Sequence, residues 1–317
     1  MTRIKVAAIQ MRAVLGDLRA NMGQAESLAV EAFRAGAQWV ILPEFFPSAV
    51  AFHPKMLDVA QPIEGPAMRL LKGLATEYGG VAGGSFIAYR NGHCYNTFVL
   101  AMPDGSVYTH DKDQPTMWEN CYYTGGNDDG VIGTGDFRVG VAMCWEFIRS
   151  RTARRLKDKV DVVVVGSCWW DLPDQRLPGF SDRVSQKNLE IMKDTPSRFA
   201  RMLGVPVIHA AHAGEFQAGL PLVPGFRYRS HYLGETCIVD GTGKTLARMS
   251  REQGEGYVMA EIDLGAKCSP SEPIPRSFWI PDIPAPIRMA WAYQNLHGQR
   301  YYRKVTLPRI RRLFEAP

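Results

Sequence analysis

Residues 136–166 read DFRVGVAMCWEFIRSRTARRLKDKVDVVVVG. Asp136–Met143 is short, apolar and β-branched, a strand that runs straight into Cys144. Thr152–Lys159 is a short basic helix, and Asp161–Gly166 is an unbroken valine run. A strand without polar alternation has no face for water, so both of its faces must be covered. Strand, helix and buried strand in succession are the unit of a layered α/β domain.

The same grammar extends outward in both directions. Ile4–Gln10 and Trp39–Phe46 are apolar strands, the second broken only by Glu44. Asn21–Gly36 and Gly65–Gly79 carry apolar residues at helical spacing and end on glycine. Gly80–Tyr89 and Cys94–Met102 are strands, and Pro103-Asp104-Gly105-Ser106 has hairpin-turn chemistry. Downstream come a helix over Val184–Gly204 interrupted at Pro196, a strand at Val207–Ala211, a hairpin over Glu235–Arg248 and a strand at Tyr257–Leu264. Past residue 265 six prolines between 270 and 286 predict an extended tail. We therefore read 1–265 as one domain and 266–317 as an extension. Phe278, Trp279, Ile280, Trp291 and Tyr293 in that tail need cover, which predicts packing on a neighbouring subunit and a homodimer or higher homo-oligomer.

Composition narrows the function classes. The chain has 317 residues, a net charge of +5, 46% hydrophobic and 22% charged residues; this excludes a mostly disordered chain. No apolar run approaches the roughly 18 residues of a membrane-spanning helix. Basic residues concentrate only in Arg300–Arg312, without a stripe of stacking aromatics, so no nucleic-acid partner is expected. No secretory signal pattern opens the chain, which reads as cytoplasmic. Six cysteines, none in C-x-x-C spacing, predict buried thiols rather than a metal site or disulfides.

Three polar residues interrupt or end apolar runs: Glu44 in WVILPEF, Lys112 in HDKDQPT and Cys144 in VGVAMC. In α/β sheets ligands gather at the carboxyl ends of strands, where these three can meet. A carboxylate takes a thiol's proton, and a lysine favours the resulting anion and the oxyanion of a tetrahedral intermediate. Together they describe acyl transfer on an amide or nitrile. Taken singly, each has a plainer reading: a buried inert thiol, a turn carboxylate, a solvated lysine.

The strings WVILPEF, KDQPTMWE and GVAMCWEF, in that order and spacing, strongly resemble the nitrilase superfamily of carbon–nitrogen hydrolases. IKVAAIQM, VPVIHAAHAG and GETCIVDGTGKTLA followed by GYVMAEIDL extend the resemblance over about residues 3–265. It implies a four-layer αββα sandwich, with Glu44 as general base, Lys112 as the catalytic lysine, Cys144 as nucleophile and Glu119 as a further active-site glutamate. It implies no metal or organic cofactor and a small-molecule nitrile or amide as substrate. KDQPTMWE and CWE are closer to the nitrile-hydrolysing branch, whereas Phe147–Arg151 and the Asn120 that follows Glu119 depart from it. An amidase or N-carbamoyl amine hydrolase, or a non-catalytic assembly protein on the same scaffold, are the alternatives. Trp145, Trp169 and Trp170 are candidates to wall an acyl pocket, against plain core filling. His212, ending VPVIHAAH, is a further candidate pocket residue, with a structural histidine as the competing reading.

Overall fold

The valine run sits in the middle of a sheet, covered on both faces, as its composition demands. A computed structural model describes residues 2–174, 182–220 and 223–315. Its strands are β1 (Thr2–Met11), β2 (Trp39–Ile41), β3 (Gln61–Pro62), β4 (Val81–Arg90), β5 (His93–Ala101), β6 (Val107–Asp111) and β7 (Val131–Gly133). They continue with β8 (Arg138–Met143), β9 (Val162–Ser167), β10 (Val207–Leu220), β11 (Val223–Leu233), β12 (Thr236–Val239), β13 (Thr245–Met249) and β14 (Gly256–Leu264). The helices are α1 (Leu18–Arg34), α2 (Pro66–Tyr78), α3 (Ser150–Leu156), α4 (Asp182–Leu203), α5 (Ala285–Tyr301) and α6 (Leu307–Phe314).

Pairing groups these strands into two six-stranded halves. One runs β6-β5-β4-β2-β1-β14 and the other β7-β8-β9-β10-β12-β13, joined where Gln10 and Met11 of β1 meet Ala211 and His212 of β10. Period-two alternation then assigns the layers. Ile4, Val6 and Ala8 of β1 face Val162 and Val164 of β9 in a core between the halves. Ala7, Ile9 and Met11 turn the other way, onto Leu28 and Phe33 of α1 and Met68 and Leu71 of α2. Val163 and Val165 turn onto Leu156 of α3 and Phe199 and Leu203 of α4. Helix, sheet, sheet, helix is the order of layers, as expected. Among the described residues no helix is long and apolar enough to cross a membrane.

Four expectations change in detail. The strand expected over Trp39–Phe46 stops at Ile41, because Pro43 donates no ladder hydrogen bond and the chain turns, with Phe45 at φ 52°. The helix expected to break at Pro196 runs through it, and the Thr195 hydroxyl donates to the Ile191 carbonyl at 2.6 Å in the adjoining turn. The strand expected to end at Ala211 continues to Leu220 and pairs with β11, an element hidden in sequence by Gly214, Gly219 and Gly225. The tail is not extended throughout: residues 285–314 are helical, with Pro284 and Pro286 at the helix start, where a missing N–H costs nothing.

The tail also finds cover on its own chain. Ile280 N–H donates to the Ile148 carbonyl at 2.8 Å, and Ser150 N–H to the Phe278 carbonyl at 3.0 Å. Trp279 meets Trp145 edge-on with centroids 5.5 Å apart, and Trp291 packs on Trp279 at 5.4 Å. Phe278 and Tyr293 are left half exposed. Helix α5 lies against the 3-10 turn Met117–Cys121, and Asn295 Oδ1 accepts from Met117 N–H (3.1 Å) and Asn120 Nδ2 (2.9 Å). Gly298 lets α5 approach, since a Cβ there would lie 2.5 Å from Asn120 Cβ and 3.0 Å from its backbone carbon. Gly298→Ala is therefore expected to destabilise by about 1–3 kcal/mol, an overpacking cost. Calorimetry should show a melting temperature several degrees lower; an unchanged value would mean that α5 docks loosely.

Candidate active site

Strand direction brings the three polar strand ends to one edge. β2, β4 and β6 run the same way, as do β8, β9 and β10, and β1 joins β2 and β10 in parallel. Glu44 lies three residues past β2, Lys112 directly after β6 and Cys144 directly after β8. Gly166 of β9 lets the Glu44 turn sit close, because a Cβ there would fall 2.6 Å from Glu44 N. Cys144 itself holds φ 47°, a left-handed conformation that costs about 1–2 kcal/mol for a non-glycine residue. Met117, at φ 51°, opens the turn that carries Glu119.

Lys112 stands at the centre. Its Nζ donates to Glu44 Oε1 and to Glu119 Oε2, both at 2.7 Å, and all three side chains are fully buried. Glu44 Oε1 also accepts from Asn96 Nδ2 at 2.9 Å, and Oε2 from Cys168 N–H at 3.1 Å. Glu119 Oε2 accepts from Thr116 N–H at 2.9 Å and from the Tyr123 hydroxyl. Oxygens of both glutamates and Cys144 Sγ lie within 4.8 Å of one another. Two carboxylates and a thiol can also ligate a metal, but here the charge between the carboxylates is the Lys112 ammonium.

Burial sets the protonation preferences. It pushes Glu44 up to about 7, with the Lys112 charge pulling the other way and Glu119 adding to the rise. For Lys112 burial alone would favour the neutral amine, but Glu119 and Glu44 outweigh it and hold the ammonium. Burial and the Glu44 charge raise the Cys144 thiol well above its usual value, against Lys112. The resting cluster therefore holds a thiol, a lysine cation and a glutamate that titrates near neutrality.

Beneath it a second buried network ties the strand ends together. Glu146 Oε2 accepts from Met143 N–H at 2.8 Å and from His110 Nε2 at 3.1 Å, while Oε1 accepts from Asp113 N–H at 3.0 Å. The residues flanking Cys144 and Lys112 thus share one carboxylate. Arg149 pairs with Asp113 at 2.8 Å and donates to the Trp145 carbonyl at 2.9 Å.

The three expected tryptophans do meet. Trp145, Trp169 and Trp170 wall a cavity of about 140 Å³ with Met117, Trp118 and Tyr228; Asp171, Asn188 and Gln294 also line it. Trp145 follows Cys144, Trp169 follows Cys168, and Met117 and Trp118 precede Glu119, so the cavity adjoins the cluster. His212 is not in that lining. It is fully buried behind the site, where Nε2 donates to the Glu44 carbonyl at 2.8 Å and burial lowers its pKa to about 4. The competing reading of a structural histidine fits this place, for a neutral imidazole fixes the turn that carries Glu44. Sequence reading missed Asn96, Tyr123, Trp118 and Gln294. Only Asn96 gave a signal, as an amide inside the apolar strand CYNTFVLA.

Comparison with known proteins points the same way. A family model described as carbon–nitrogen hydrolase matches residues 5–266. A citrullinase of Francisella tularensis is 32% identical over 284 residues, covering 83% of this chain and 90% of that protein. A nitrilase of Pyrococcus abyssi is 32% identical over 169 residues, covering 50% of this chain and 63% of the nitrilase. A carbon–nitrogen hydrolase structure from Helicobacter pylori shares the fold with a TM-score of 0.70 at 21% identity, covering 82% of this chain and 89% of that one. With the Glu44–Lys112–Cys144 arrangement in place, the chain belongs to the carbon–nitrogen hydrolases of the nitrilase superfamily, enzymes that act on non-peptide C–N bonds.

Proposed function

We propose that this hydrolase releases ammonia from a small, uncharged amide or nitrile with a flat acyl group, through a thioester on Cys144. The observation that carries the reading is the single buried lysine shared at 2.7 Å by two glutamates beside the thiol. Cys144 Sγ attacks the carbonyl or nitrile carbon as Glu44 takes the thiol proton. Lys112 and the N–H of Trp145 stabilise the negative charge on the attacked atom. Glu44 returns the proton to the departing ammonia, which leaves an acyl thioester. Glu44 then takes a proton from water as its oxygen adds to the thioester carbon, and returns that proton to Sγ as the C–S bond breaks and the acid leaves. A nitrile first adds water at the thioimidate and then follows the same course. Glu119 is a positioning residue that holds the lysine.

The acyl group is argued from charge. Among the described lining residues there is no lysine or arginine and there is one carboxylate, Asp171, so an anionic acyl group lacks a partner. Arg149, the nearby cation, is engaged by Asp113. Ammonia release from equal concentrations of benzonitrile, benzamide, an N-carbamoyl alkylamine and a ureido amino acid tests this. Release from the benzonitrile or the benzamide is expected; release only from the last two would overturn the acyl assignment. We keep 1–265 as the hydrolase domain and 266–317 as an extension. The exposed side of α5, with Met289, Tyr293 and Leu296, is the surface on which the homo-oligomer proposal now rests.

Because Glu44 must be ionised to take the thiol proton, its displacement to about 7 puts the acid limb near neutrality. kcat/KM is expected to fall about tenfold per pH unit below that point and to level off above it. A profile flat down to pH 5 would show that Glu44 is not the base.

A further inference from the structure

The cavity beside the cluster is lined partly by the tail. Ile287, Ala290 and Gln294 of α5 contribute to it, and α5 lies outside residues 5–266 matched by the family model. The side-chain acceptors of the lining are already engaged or closed off. Asn188 Oδ1 accepts from Trp169 Nε1 at 3.1 Å. Asp171 Oδ1 accepts from Leu172 N–H at 2.8 Å and from Asn188 Nδ2 at 3.0 Å, and its Oδ2 lies 3.3 Å from His231 Nε2. Gln294 Oε1 is turned into the protein, out of reach of anything in the cavity.

The donors stand differently. Trp145 Nε1, Trp170 Nε1 and Gln294 Nε2 have no partner among the described residues, and all three remain open to the cavity that these residues line. An indole N–H and an amide NH2 donate and never accept. The wall around them is otherwise largely apolar, with Met117, Leu172 and Ile287. A ligand that fills this space without an acceptor strips water from the three N–H groups and leaves them unpaired, which costs affinity.

We propose that Trp145, Trp170 and Gln294 form an acceptor-selecting subsite: the acyl part of the substrate carries a neutral acceptor atom without a hydrogen of its own, a heteroaromatic ring nitrogen or an ether or ketone oxygen, to which these N–H groups donate. The proposal rests on the reading of this cavity as the acyl site. A hydroxyl or an ammonium brings a further donor to a wall whose acceptors are taken. A carboxylate accepts, but it would lie beside Asp171 with no cation in the lining.

Binding to the Cys144→Ala protein, measured by calorimetry, separates recognition from turnover. The probes are benzamide, pyridine-3-carboxamide and pyridine-4-carboxamide, used above neutral pH so that the ring nitrogens stay unprotonated. The three have nearly the same size and shape, so they differ in one acceptor atom. At least one pyridine carboxamide is expected to bind about fivefold or more tightly than benzamide, the scale of one satisfied buried hydrogen bond. Trp145→Phe, Trp170→Phe and Gln294→Met each remove one donor, and at least one of them should bring that preference to within about twofold. Gln294→Glu, which puts an acceptor where the amide N–H was, should weaken the pyridine carboxamides more than benzamide. A melting curve for each variant checks folding. Equal binding of the three amides, or a preference that survives all three donor deletions, would overturn the subsite and leave the acyl-site reading standing. If none of the amides binds, the acyl-site reading itself falls, and this proposal with it.

Discussion

Cys144→Ala is expected to cut ammonia release by at least about a thousandfold in kcat, because no other group can form the thioester and the remaining contacts only bind and polarise. The fold should survive. The change removes one sulfur from a site where alanine tolerates the left-handed backbone about as well as cysteine does, so a loss of about 1 kcal/mol or less is expected. Kinetics on a responsive amide together with a melting curve check both halves. Activity within tenfold of the parent would remove Cys144 as nucleophile. A collapsed melting transition would mean that the thiol is structural.

The second large effect is at Lys112. Lys112→Arg keeps the charge, but a planar guanidinium cannot reproduce a compact ammonium held at 2.7 Å by two carboxylates and still face a developing oxyanion. A loss on the order of a hundredfold or more in kcat is expected, comparable to removing an oxyanion donor. Lys112→Met adds a stability cost. It leaves Glu44 and Glu119 buried together with no cation, and removing one partner of a buried ion pair costs about 3–5 kcal/mol. The sign with pH follows. Without Lys112 the two glutamates cannot both stay ionised and their proton affinity rises further, so this variant should gain more stability as pH falls than the parent, whose Glu44 is already raised to about 7. Near-normal kcat in Lys112→Arg would make the lysine peripheral.

Much of the site was legible because its residues break patterns. A glutamate inside WVILPEF and a cysteine that ends VGVAMC sit where a strand must stop, and parallel pairing carries both to one edge. A layered α/β domain was legible for the same reason, because unbroken valine runs demand cover on both faces, whereas the four layers were implied only by the family resemblance. What stayed hidden depends on contacts distant in sequence. Gln294 reaches the cavity only because α5 docks through Gly298 and Asn295, and the proline-rich approach to it disguised the helix. Trp118 sat beside a recognised glutamate but showed no sign of an unpartnered indole. His212 was placed near the right edge of the sheet, yet which way it faces depends on the Glu44 carbonyl, which no pattern reveals.

The central claim is a covalent acyl enzyme on Cys144. Peptide mass spectrometry of the parent protein, quenched during turnover of a slowly hydrolysed amide or nitrile, tests it most directly. The account predicts a single acyl mass increment on the peptide that carries Cys144, absent from Cys144→Ala. The increment on Cys168, whose N–H binds Glu44, or on no cysteine while ammonia is still released, would contradict it.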